Sequence, residues 1–124
     1  RWTPLERDQV IKQTAQMDGV EVGLWIEQEP GSSGKSLADA LVRMLAGFYV
    51  QTDRVTGDKV TRAQPFAAQV QAGNVKVVSG AWNRAFLDEL HAFPEGAHDD
   101  AVDAASGAFN QLAGRGFSPR VRRF

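Results

Sequence analysis

The sequence predicts an α/β fold, with a central sheet flanked by helices, on three observations. Short runs with strand character end in polar or small residues. Between them lie stretches whose apolar residues recur three and four apart, and glycines stand where those stretches stop. The resulting order is helix, strand, helix, strand, helix, strand, helix, helix. Strands separated by helices are joined by right-handed crossovers and run parallel, so helices cover the sheet.

Each element has its own signal. Thr3-Pro4-Leu5-Glu6 is a capping box with proline at the first helical position, and Val10, Ile11, Thr14 and Met17 continue a helical stripe to Gly19. Residues 20–26 alternate, with Val20, Val22, Leu24 and Ile26 on one face, which predicts a strand with Glu27 at its C-terminal end. Gly31 and Gly34 form a turn. Ser36 to Asp39 then approximates a capping box for a helix with Leu37, Leu41, Met44 and Leu45 inward. Phe48-Tyr49-Val50 reads as a second strand running towards Asp53. From Lys59 to Ala72 the spacing is helical, and Pro65 predicts a bend after the first turn. Val75 to Val78 reads as a third strand, and Asn83 as the cap of a helix with Phe86, Leu87 and Leu90 inward.

With 124 residues and 43% hydrophobic content, the chain can bury a core without staples and reads as one domain over 1–113. It has no cysteine, which excludes disulfides and thiolate zinc sites and suits a reducing cytosol. No apolar run approaches the roughly 20 residues that span a bilayer, and the start has no secretion signal. A start at Arg1 rather than Met suggests a fragment. The net charge of −1 hides an asymmetry: residues 114–124 hold four arginines and no acid, leaving −5 for the rest. Such a tail is either a solvated end or a contact for phosphates.

The stretch from Phe93 to Leu112 is the most informative. Val102, Ala105, Phe109 and Leu112 mark a helix, and Asp99, Asp100 and Asp103 crowd its start. One Asp suffices to cap a helix and meet its dipole. Further carboxylates within a turn repel one another, so the cluster is either an acidic first turn or a cation site. Glu27 has the same two readings, a solvated strand end or a ligand, because ligands in open α/β sheets gather beyond the carboxyl ends of strands. Glu29 is a second acid on the loop after it. His91 and His98, seven residues apart, fit no zinc spacing.

EPGSSGKS, between a strand and a helix, offers a rival reading as a nucleotide-binding P-loop of a kinase-like domain. That motif needs glycine where Glu29 stands, and a carboxylate there repels phosphate. Lys59 and Arg62 project from the start of their helix as solvated charges or as phosphate contacts.

The pattern Phe93-Pro94-x-Gly96-x-His98-Asp99-Asp100-x-Val102-Asp103-Ala104 closely resembles the end of the nuclease domain in the large subunit of tailed-phage terminases. The likeness covers nearly the whole chain. It implies a ribonuclease H-like fold whose N-terminal antiparallel strands, with the first catalytic Asp, are missing from this chain.

The resemblance implies an endonuclease that uses two Mg2+ or Mn2+ ions to cut concatemeric double-stranded DNA. By resemblance Glu27 and Asp100 are metal ligands and catalytic, and Asp99 is an auxiliary or alternate ligand. Glu29, His98 and Asp103 surround them, and Lys35, Lys59 and Arg62 lie towards DNA. The family implies a portal protein, a small terminase subunit and an ATPase domain in the same parent chain, working in the cytoplasm of the bacterial host. Without the first Asp, weak metal binding and little or no cleavage are expected of this fragment. A non-catalytic remnant that binds duplex without metal is the further alternative.

Overall fold

The structure is a computed structural model that describes residues 2–54 and 57–114. The basic tail, except Gly114, lies outside the described residues. The elements are α1 (Pro4–Asp18), β1 (Leu24–Gln28), α2 (Ser32–Met44), β2 (Val50–Arg54), α3 (Lys59–Gln71), α4 (Asn83–Ala92) and α5 (Asp100–Gly114). They fall into two compact units that divide between positions 56 and 57.

The first unit holds α1, β1, α2 and β2. Thr3 and Glu6 form the expected capping box, with Thr3 Oγ1 accepting from the Glu6 N–H and Glu6 Oε2 from the Thr3 N–H. The chain leaves α1 at Gly19, whose φ of 89° a residue with a Cβ rarely adopts. The Val22 N–H then donates to Gly19 O, closing a turn, so Val20 and Val22 are exposed rather than paired. Pairing therefore begins at Leu24, later than the alternation from position 20 predicts.

β1 and β2 form a two-stranded parallel sheet, with Leu24 opposite Val50 and Glu27 opposite Asp53. Helix α2 packs on both strands. It begins at Ser32 behind Gly31, not at a Ser36 cap. Gly34 explains the early start: a Cβ on it would lie 2.0 Å from the Glu29 carbonyl oxygen, so the first turn of α2 lies directly on the end of the β1 segment. Ala15, Ala38, Leu41 and Leu45 are the buried apolar side chains here.

The second unit is helical among the described residues. Helix α3 runs through Pro65 as one element, and α5 packs against both α3 and α4. Ala63, Phe66, Val102 and Ser106 are buried, and the Phe66 and Phe109 rings meet at 5.9 Å. The third strand does not form: residues 74–79 carry no strand pairing. Local β-propensity makes a strand only when a neighbouring strand takes up its backbone groups, and no described strand lies in this unit. Asn83 is the first residue of α4 rather than its cap. Its side chain reaches back, Oδ1 accepting from the Gly80 N–H and Nδ2 donating to Val78 O.

The fold is thus α/β with a small parallel sheet flanked by helices, consistent with part of a ribonuclease H-like arrangement.

Candidate metal-binding and DNA-contact residues

Glu27 is exposed in β1, one residue before the strand's end, and its register partner is Asp53. Parallel register sets two carboxylates side by side at the carboxyl end of the sheet. Glu29 follows in the exposed turn. Lys35, in the first turns of α2, is exposed and makes an i,i+4 ion pair with Asp39 at 3.6 Å.

The remaining sites lie in the second unit. After α4 the chain folds back on itself: the Glu95 and Gly96 N–H groups both donate to Ala92 O, and the Phe93-Pro94 bond is cis. Gly96 fits so closely that a Cβ on it would stand 2.9 Å from the Ala92 Cβ. This turn delivers His98, which is exposed, and the half-buried Asp99 to the start of α5. Asp100 is the first residue of α5 and is exposed, while Asp103 is half-buried one turn on.

Helix α3 supplies the basic partners. Asp58 caps it, accepting from the Thr61 N–H at 2.8 Å and from Thr61 Oγ1 at 3.1 Å. Those bonds hold its carboxyl below the ordinary aspartate range, the backbone bond from Thr61 most of all. Lys59 follows the cap, and its Nζ donates to Asp99 Oδ2 in an ion pair that links positions 40 residues apart. That bond raises the ammonium's pKa against some opposing burial. Burial, and next the charge of Asp99, push the Asp103 carboxyl up, while Arg62 and Lys59 pull it down. Arg62 is also fixed through its backbone, where its carbonyl accepts from Asn110 Nδ2 of α5 at 3.0 Å.

The structure thus gathers Lys59, Arg62, Asp99 and Asp103 in one electrostatic neighbourhood, with Asp100 also acting on Asp103. A family model, the terminase RNaseH-like domain, matches residues 4–112. The chain belongs to that family. No curated protein and no solved structure matches it.

In this terminase RNaseH-like domain, the carboxylates suit a hard cation such as Mg2+ or Mn2+, which takes oxygen ligands, and Asp99 already binds a cationic group. Among the described residues no three His, Cys, Asp or Glu side chains converge closely enough to hold an ion. No described helix is long and apolar enough to cross a membrane.

Two residues escaped the sequence reading. Glu89 of α4 accepts from the Val102 N–H at 3.0 Å, taking the capping role expected of an Asp. Nothing local distinguishes Glu89 from an ordinary solvated acid, because the contact depends on α4 packing against α5. Asp53 was read only as a strand end, and the strand register alone puts it beside Glu27.

Proposed function

We propose that this domain is the metal-dependent endonuclease of a phage DNA-packaging terminase, hydrolysing phosphodiester bonds of concatemeric double-stranded DNA with two Mg2+ or Mn2+ ions. The observation that carries the reading is the family match over residues 4–112. Glu27, Asp99 and Asp100 are the proposed metal-binding and catalytic carboxylates. Two such ions, about 4 Å apart, would activate water and stabilise the leaving oxygen.

The chain's own residues prepare that chemistry. Asp100 is exposed at the start of α5, and Glu27 is exposed near the carboxyl end of β1. Asp103, partly buried beside Asp99, adds negative potential, and Glu29 and His98 flank the ligands in sequence. Lys35, Lys59 and Arg62 are the proposed phosphate contacts, which position a duplex without reading its sequence. Portal protein, small terminase subunit and an ATPase domain of the same parent chain are the proposed partners, in the host cytoplasm.

The test is plasmid cutting with Mn2+ by the parent packaging protein. Glu27→Ala and Asp100→Ala are each expected to abolish cutting without unfolding the domain. Cutting that survives both substitutions overturns the assignment.

A further inference from the structure

The start of α5 divides between two residues a task that one usually carries. The Asp103 N–H donates to Asp99 O at 2.9 Å, the first bond of the helix, which puts Asp99 at the N-cap. An aspartate there ordinarily folds its side chain back to accept from the third helical N–H, here that of Val102. That donor is already taken, by Glu89 Oε1 of α4 at 3.0 Å. Asp99 turns instead to α3, where its Oδ2 accepts from Lys59 Nζ.

Burial and packing explain the exchange. Val102 is 2% exposed, so its N–H needs an acceptor from the protein. Glu89 is half-buried on α4, which packs on α5, and its ionised oxygen makes the stronger, charge-assisted kind of bond. A capping Asp99 carboxylate would lie over its own helix, away from Lys59.

We propose that Glu89 is a positioning residue for Asp99: by capping α5 in its place, it keeps the Asp99 carboxylate turned towards α3. The inference rests on the proposed nuclease function, in which Asp99 is a working carboxylate.

Nuclear magnetic resonance of the 124-residue chain, without added metal, tests the contact. The Lys59 ammonium should give a hydrogen-bonded nitrogen signal that Asp99→Ala moves to the position of a solvated lysine. Glu89→Ala should make the same shift, because the freed Val102 N–H draws Asp99 onto it. Glu89→Gln keeps an acceptor and should keep the signal. Glu89→Asp, one methylene shorter, is the milder variant should Glu89→Ala not fold, and should shift the signal the same way. A Lys59 signal unchanged in the folded variants overturns the proposal and leaves the nuclease reading standing.

Plasmid cutting by the parent packaging protein tests the consequence. Asp99→Asn and Glu89→Ala should each slow cutting about tenfold or more, the loss typical when the partner that orients a working group is removed. The double variant should be no slower than the slower single, because both act through one carboxylate. Losses that multiply overturn the proposal, since Glu89 then acts on stability alone. Cutting indifferent to Asp99→Asn overturns the place of Asp99 in the proposed reaction, and this proposal with it.

Discussion

The carboxylate of Glu89 in α4 accepts a hydrogen bond from the backbone N–H of Val102, in the first turn of α5. The first N–H groups of a helix have no intrahelical acceptor, so a neighbouring helix here completes the end that carries the aspartates. Glu89→Leu removes that acceptor and leaves a donor orphaned beside the buried Val102. The expected loss is about 1–3 kcal/mol in urea unfolding. Glu89→Gln keeps an acceptor and should lose less.

The Asp58 cap is pH-dependent with a definite sign. Its carboxyl is held below the ordinary value of 3.8, chiefly by the Thr61 N–H. The folded protein binds this proton less tightly than the unfolded chain, so the contribution is fully present above the ordinary value. It is lost as pH falls through the lowered one. Asp58→Ala should therefore lower the melting temperature at pH 7, and the difference should close in strong acid.

Asp103 behaves in the opposite sense. Burial first, and then the charge of Asp99, raise its carboxyl above 3.8. Its contribution is most favourable below the ordinary aspartate value and is lost as pH rises through the raised one. Asp103→Asn should stabilise the chain at pH 7, with the gain shrinking towards pH 3. A gain equal at both pH values would mean that the ionised carboxylate is not under strain.

These contacts mark the boundary of what the sequence reveals. Local chemistry was legible: the Thr3–Glu6 capping box formed, and the helical spacings of α3, α4 and α5 became helices in sequence order. Signals that depend on a distant partner were not. Val75 to Val78 has the composition of a strand without strand pairing, and the alternation from Val20 was overridden by the turn that Gly19 closes. At the candidate site, the three aspartates stood out because like charges are costly at close spacing. Lys59 read as a solvated charge or a phosphate contact, with no sign of a carboxylate partner, since only the packing of α3 on α5 brings it to Asp99.

Gly34 is a sharper test of the turn between β1 and α2. In an exposed helix, replacing glycine with alanine gains up to about 1 kcal/mol from backbone entropy. At this position the new Cβ would lie 2.0 Å from the Glu29 oxygen, which is backbone and cannot rotate away. Overpacking of this kind costs about 1–3 kcal/mol. Gly34→Ala should lower the melting temperature and perturb the amide resonances of residues 27–31.

Ser106 points the other way. It is 3% exposed on α5, and its Oγ has no hydrogen-bond partner among the described residues. A hydroxyl buried without a partner costs about 1–3 kcal/mol by mutational measure, and alanine is the best helix former while removing only the oxygen. Ser106→Ala should stabilise the chain by about 1 kcal/mol, read from the urea midpoint at unchanged slope. Ser106 is buried on α5, a helix that packs on α3 and α4, so Ser106→Leu should overpack the site and destabilise despite its greater apolar area. If alanine destabilises instead, the hydroxyl has a partner in solution that holds α5, and the packing of α3 on α5 depends on a polar contact rather than on apolar burial alone.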